Sequence, residues 1–166
     1  LESLAIGQGS INMSLTTLVR NYIRINERKA ISLKWYINNN YTTSEEWFDS
    51  LRVLPIYQGM SEVLSSGTGR STVGESLLKY GYHLGNFKAK TGTVQFPRDT
   101  ELGKEFKNKS SYMVLITPSH TIGVALWGVL PNEGRLDQNE TIQHARGILA
   151  ELVDILANWR DGKYLK

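Results

Sequence analysis

The chain has 166 residues and a net charge of +3, with 19 lysines and arginines against 16 acidic residues. Apolar residues form 40% of it and charged residues 21%, a composition typical of one globular domain with a sizeable core. Its basic residues are scattered, which argues against nucleic-acid binding, because that function needs a concentrated basic stripe. The sequence contains no cysteine, which excludes thiol nucleophiles, disulfides and cysteine zinc sites.

Two helices are predicted in the first third of the chain. Ser14 can cap the first helix, whose apolar residues keep helical spacing as far as about Glu27. Thr43-x-x-Glu46 is a capping box, which predicts a short second helix that ends at Pro55. The side chains expected to face inward from this second helix are Trp47, Phe48 and Leu51.

Two more helices are predicted before the first long strand. Pro55 suits the first position of a helix and is expected to start one. Gly67-Thr68-Gly69 is expected to end that helix. Thr72-x-x-Glu75 is a second capping box, and its short helix should close at Gly81. The inward residues of this last helix would be Val73, Leu77 and Leu78.

After Gly81 the pattern changes from helical to strand-like. Strands are predicted over Phe87–Val94, Ser111–Thr117 and Thr121–Leu130, with a polar loop over residues 95–109 and a turn at Pro118-Ser119-His120. The second and third strands are apolar on both faces, which indicates that both faces are covered.

A long C-terminal helix is predicted from the capping pattern Asp137-x-x-Glu140 to about Gly162, and it should lie across the sheet. Its inner face would carry Ile142, Ala145, Ile148, Leu149, Leu152, Ile155, Leu156 and Trp159. Helices followed by three antiparallel strands and a last helix predict an α+β fold.

The stretch that can carry chemistry is Lys90-Thr91-Gly92-Thr93, within the first predicted strand. Residues two apart share a face of a strand, so the hydroxyls of Thr91 and Thr93 can converge on one anionic group. Lys90 would supply a positive field, and Gly92 would leave the backbone unobstructed. If the strand lies at a sheet edge, its free backbone groups could also pair with an extended peptide.

Three blocks occur in one order along the chain. They are Ala5-Ile6-Gly7-Gln8-Gly9 with Met13-Ser14, then Gly59-Met60-x-x-Val63 with Gly67-Thr68-Gly69, then Lys90-Thr91-Gly92-Thr93. In this order they resemble the transpeptidase domain of penicillin-binding proteins, closest to the class B type that synthesises peptidoglycan. The resemblance covers nearly the whole chain and is to the C-terminal half of that domain, which belongs to the penicillin-binding and serine β-lactamase-like fold.

The resemblance implies an acyl-transfer site for the D-alanyl-D-alanine end of a peptidoglycan stem peptide, one that also reacts with β-lactams. That family uses Ser-x-x-Lys, Ser-x-Asn and Lys-Thr-Gly motifs, and only the third is matched at its family position. Lys90 and Thr93 would then be catalytic residues, and the Thr93 N–H would form half of an oxyanion hole. Lys90, Thr91, Gly92 and Thr93 together would bind the substrate carboxylate.

Two other stretches spell the missing motifs without standing in the family's positions. Ser76-Leu77-Leu78-Lys79 spells Ser-x-x-Lys, and Ser10-Ile11-Asn12 spells Ser-x-Asn. We interpret the first as a surface helix and the second as a turn. A complete small hydrolase that uses Ser76 and Lys79 is therefore the least favoured alternative.

On this interpretation residues 1–166 form one partial domain, and the serine nucleophile lies in an N-terminal half that is the chain's partner. The chain alone would be inactive, and the family places the protein in the periplasm, on the outer face of the inner membrane. Two alternatives stay open: a non-catalytic module that binds cell-wall peptides or partner proteins, and a carboxypeptidase or β-lactamase relative.

No metal, other cofactor or membrane contact is expected from this chain. His83, His120 and His144 show no ligand spacing. The longest apolar stretch, residues 122–130, is about half as long as a membrane-spanning helix. Leu1-Glu2-Ser3 lacks the basic start of a signal peptide.

Overall fold

A three-stranded antiparallel sheet with helices on both faces organises the structure. The computed structural model describes residues 13–31, 43–46, 50–100, 103–128, 138–159, 162 and 164–165. In chain order the elements are α1 (Leu15–Glu27), β1 (Lys29–Ile31), β2 (Thr43–Glu46), α2 (Ser50–Ser65), a π-helical turn (Arg70–Gly74), α3 (Glu75–Lys79), a 3₁₀ turn (Leu84–Asn86), β3 (Lys88–Thr100), β4 (Gly103–Ile116), β5 (Thr121–Gly128) and α4 (Gln138–Asn158). The predicted α+β class is confirmed, and the main sheet has the order β3-β4-β5.

Helix α1 covers one face of the sheet, and its predicted cap is confirmed. The Thr17 N–H donates to Ser14 Oγ at 3.2 Å, which satisfies one of the unpaired amides of the first turn. The helix packs so closely on β5 that a Cβ at Gly123 would lie 2.4 Å from Val19 Cγ2. Glycine at this position therefore sets the distance between α1 and the sheet.

The second predicted helix is wrong over Thr43–Glu46, whereas its last residues, from Ser50, are helical as part of α2. Thr43–Glu46 is not a capping box but strand β2, which pairs with β1 so that Lys29 lies opposite Glu46. The backbone groups that a cap would have satisfied are used in strand pairing instead. Trp47 and Phe48 lie outside the described residues.

Pro55 neither ends nor starts a helix, because it lies inside α2. Pro55 lies five residues after Ser50, the first residue of α2. Because proline has no backbone N–H, the helix lacks one hydrogen bond, and this gap lies near its start. Val53, Met60 and Leu64 are all buried, at spacings of seven and four that put them on one face. Burial of this continuous face outweighs the proline, and the helix stops at Gly67-Thr68-Gly69 as predicted.

The capping box at Thr72 is also wrong, since the chain is already helical at Arg70 and Thr72 Oγ1 donates to the Gly69 carbonyl at 3.4 Å. Val73 and Leu77 are buried as predicted, whereas Leu78 is exposed. Gly81 does close α3, with φ of 77° and the paired C-terminal hydrogen bonds of a Schellman motif.

The three predicted strands are confirmed, but the polar loop over residues 95–109 is wrong. β3 and β4 continue as a two-stranded ribbon, in which Arg98 lies opposite Glu105 and Asp99 opposite Lys104. The predicted turn at Pro118-Ser119-His120 joins β4 to β5.

Helix α4 crosses the other face of the sheet, as predicted. Fewer of its apolar residues are buried than the sequence pattern predicts. Ala145, Leu149 and Val153 are buried, whereas three residues predicted to face inward are exposed: Ile148, Ile155 and Trp159. Asp137 lies outside the described residues, which begin again at Gln138.

The main core lies between α4, the sheet and the helices that follow α2. Its fully buried members are Leu64, Val73, Leu77, Phe87, Ala89, Met113, Leu115, Leu149, Val153 and Leu165. The segment after α4 is held to the β4–β5 turn, because Thr117 Oγ1 donates to the Tyr164 carbonyl at 3.3 Å. Leu165 thereby closes the core from the C-terminal side.

Candidate functional site

The Lys-Thr-Gly stretch lies on β3, which is an edge strand of the sheet as far as the described residues go. Thr91 lies opposite Met113 and Thr93 opposite Ser111, so the two threonines share the face that packs against the core. Lys90 and Gly92 belong to the other face. The predicted arrangement of Thr91 and Thr93 on one side of a strand therefore agrees with the register.

The loop Gly67-Thr68-Gly69 lies directly against this strand. Thr68 Oγ1 is 2.9 Å from Thr91 Oγ1, although the two residues are 23 positions apart. A Cβ at Gly69 would lie 2.9 Å from Met113 Cε, so the loop backbone rests on the same face as Thr91. Two of the three sequence blocks are thus brought together by one hydroxyl pair.

The turn geometry that places Thr68 depends on the end of α2. The Gly67 N–H donates to the Glu62 carbonyl at 2.7 Å, and the Gly69 N–H donates to the Val63 carbonyl at 2.9 Å. A Cβ at Gly67 would lie 2.8 Å from Val63 Cα, which is backbone and cannot move aside easily. Glycine on both sides therefore lets the loop fold back and present the Thr68 hydroxyl to β3.

Arg146 of α4 is a site residue that the sequence reasoning missed. Its guanidinium donates a hydrogen bond to the Thr68 carbonyl, 78 positions away along the chain. Partial burial lowers the pKa of Arg146 from its usual value, but an arginine keeps its charge. No local sequence motif marks Arg146 as a site residue. The residue before it, Ala145, is buried where α4 packs against the sheet.

The side chain of Lys90 is exposed, and its ammonium donates a hydrogen bond to the carbonyl oxygen of Thr91. The positive charge therefore lies close to the strand backbone, beside the residue whose hydroxyl contacts Thr68. Two cations thus lie near Thr68 and Thr91, since Lys90 donates to the Thr91 carbonyl and Arg146 to the Thr68 carbonyl. An anionic group is the ligand that such a set of donors can bind.

Gly92 has a role in packing that differs from the sequence interpretation. The Tyr112 ring lies over it, and a Cβ at Gly92 would be 2.0 Å from Tyr112 Cε1. Burial, with a smaller contribution from the adjacent Tyr112 hydroxyl, raises the pKa of Tyr22 above its usual value. The Tyr22 hydroxyl is hydrogen-bonded to the Tyr112 hydroxyl on this face of the sheet.

The geometry disfavours Ser76 and Lys79 as a nucleophile and base. Lys79 Nζ is 3.4 Å from Asp154 Oδ2 on α4, and it also lies over the Tyr80 ring. Hydrogen bonds to Tyr80 and then Asp154 raise the pKa of Lys79 above its usual value. A general base needs a lowered pKa, so this lysine is suited to an ion pair on the surface.

The histidines act within turns where the structure describes them. His83 Nδ1 accepts the Gly85 N–H at 3.2 Å, and His120 Nδ1 is 2.7 Å from Ser119 Oγ. In the described ranges no group of three acidic or histidine side chains is placed to hold a metal ion. Ser10-Ile11-Asn12 lies outside those ranges.

Among the helices of the described residues, none has the length and hydropathy required to span a bilayer. No protein-family profile matches the chain, and no curated protein matches it.

Proposed function

We propose that the chain is the C-terminal half of the transpeptidase domain of a penicillin-binding protein. The observation that carries the proposal is the contact between Thr68 and Thr91, whose hydroxyl oxygens are 2.9 Å apart. The two residues come from separate blocks of the family resemblance, and a chance pair of short motifs has no reason to meet in space.

In this function β3 binds the terminal carboxylate of the peptidoglycan stem peptide. Thr91 and Thr93 donate hydrogen bonds to the carboxylate, and Lys90 supplies the positive field. The backbone of an edge strand can pair with the extended peptide, and the Thr93 N–H contributes half of an oxyanion hole. The protein would work in the periplasm, on peptides that β-lactams mimic.

The nucleophilic serine belongs, on this proposal, to an N-terminal half that completes the domain. Among the described strands β5 has only β4 as a neighbour, which leaves an edge for two further strands. An apolar strand with one open edge is an aggregation hazard, and pairing would remove it. The ion pair between Lys79 and Asp154 supports a nucleophile other than Ser76.

Labelling with a fluorescent penicillin tests the proposal. The chain alone should form no covalent adduct, whereas the chain combined with the N-terminal half should be acylated on a serine of that half. Mass spectrometry of the intact polypeptides and their peptides locates the label. Ser76→Ala is the matched control and should leave the yield unchanged, because Lys79 is engaged with Asp154.

Two outcomes would contradict the proposal. An adduct on Ser76 of the chain alone would establish the small hydrolase instead. Absence of an adduct in both preparations, with retained binding of the stem peptide, would favour a non-catalytic module that uses the same edge strand. Product analysis with an amine acceptor then separates transfer from the hydrolysis of a carboxypeptidase or β-lactamase.

A further inference from the structure

We propose that Thr68 and Arg146 are positioning residues of the carboxylate site, and that they fix the direction in which the Thr91 hydroxyl donates. The inference rests on the proposed function, since it assigns an anionic carboxylate to β3. Neither residue belongs to the Lys-Thr-Gly motif, and Arg146 lies on a different element of the fold.

A pair of threonine hydroxyls can share one hydrogen bond in either of two directions. Each threonine hydroxyl carries one hydrogen and two acceptor lone pairs. If Thr91 donated to Thr68, it would present only lone pairs to a carboxylate and would repel it. If Thr68 donates across the 2.9 Å contact, the hydrogen of Thr91 remains available for the anion. Thr68 is therefore needed as the donor.

The loop Gly67-Thr68-Gly69 is held in position by hydrogen bonds from two sides. The Arg146 guanidinium donates to the Thr68 carbonyl and so attaches the loop to α4. The Gly69 N–H bond to Val63 holds the loop from the α2 side. The Thr68 backbone is consequently held between two helices, in the position from which its hydroxyl reaches Thr91.

Charge also favours an anion at the Thr91 hydroxyl. Thr68 donating to Thr91 polarises the Thr91 hydroxyl, and a chain of hydrogen bonds is strengthened when an anion lies at its end. The positive charge of Arg146, held at the Thr68 carbonyl, also favours an anion near Thr68 and Thr91. The arrangement favours a carboxylate over a neutral amide at the same position.

The test compares binding of N-acetyl-D-alanyl-D-alanine with binding of its C-terminal amide, by calorimetry on the chain combined with its N-terminal half. Thr68→Val should reduce the preference for the acid by roughly three- to tenfold, the usual effect of one hydrogen bond. Thr68→Ser keeps the hydroxyl and should restore the preference. Arg146→Met should reduce it as well, and Arg146→Lys should recover part of it.

Thr72→Val is the matched control, because the Thr72 hydroxyl donates to the Gly69 carbonyl at 3.4 Å and not to Thr68 or Thr91. It should leave the ratio of acid to amide affinity unchanged. Thermal unfolding of each variant checks that the fold is intact. The ratio is the decisive readout, since a purely structural effect would weaken acid and amide together.

The outcomes separate this inference from the proposed function. If the parent protein prefers the acid and Thr68→Val keeps that preference, the positioning role is overturned while the proposed function stands. If the parent protein binds acid and amide equally, the carboxylate site itself is absent and both proposals fail. Loss of the preference in Thr68→Val with recovery in Thr68→Ser supports the inference.

Discussion

Replacing Gly92 by alanine is expected to destabilise the protein by about 1–3 kcal/mol, the usual cost of overpacking. The added Cβ would lie 2.0 Å from Tyr112 Cε1, so the ring must leave the strand. The ring cannot move without cost, because its hydroxyl interacts with the half-buried Tyr22. Urea unfolding at constant m-value measures the change.

Gly59→Ala is the control for that substitution, since no atom lies within 4 Å of a Cβ at Gly59. Alanine at this position in α2 should stabilise the protein by about 0.5–1 kcal/mol, because glycine is a poor helix former. Combining Gly92→Ala with Tyr112→Ala should cost less than the sum of the two single changes. Equal stability of Gly92→Ala and the parent would show that the ring does not occupy this space.

Leu149→Ala should have the largest effect, a loss of about 2–5 kcal/mol, because it opens a cavity beneath α4. Leu149 is fully buried in the cluster that includes Met113 and Leu115 of β4. Thermal or urea unfolding reports the loss, and retained helical circular dichroism shows that the chain still folds.

Ile155→Ala is the matched control on the same helix, with a side chain that is 61% exposed. Its effect should stay within about 0.5 kcal/mol, as is usual for surface positions. Similar losses for Leu149→Ala and Ile155→Ala would mean that α4 has a broader buried face than the structure gives. This pair of variants therefore tests the helix orientation itself.

The sequence predicts elements best where local signals and packing agree. Ser14 caps α1 as expected, and Gly81 ends α3 with a positive φ that glycine adopts easily. Thr43 and Thr72 start equally good capping boxes, yet neither caps a helix, because strand pairing and an earlier helical turn satisfy the backbone. A local motif does not reveal a competing long-range partner.

The ribbon beyond the sheet was missed for a specific reason. The register shifts between Phe96 and Pro97, so that odd-numbered residues of β3 pair with odd-numbered residues of β4 before the shift and with even-numbered ones after it. The extra residue in β4 reverses which residues share a face, so a single alternating pattern does not run through the whole strand. Together with its polar composition, the ribbon therefore reads as a loop.

The candidate site was predictable only in part. Lys90, Thr91 and Thr93 could be assigned to one strand from their sequence, and their role in binding a carboxylate stays a prediction. Arg146 could not be found, because its contact with Thr68 spans 78 positions and depends on how α4 crosses the sheet. Spatial convergence of this kind has no signature in a single sequence.

The position of Leu165 in the core has a consequence for how the protein is made. Leu165 is fully buried with Phe87 and Leu77, and the neighbouring Tyr164 carbonyl is bonded to Thr117, 47 positions earlier. Synthesis must therefore pass residue 165, and that residue must leave the ribosome, before the core can close. Contacts so distant in sequence also slow folding. The sheet face that α4 and Leu165 cover is consequently uncovered during that interval, whereas α1 precedes the strands in the chain and can already cover the other face.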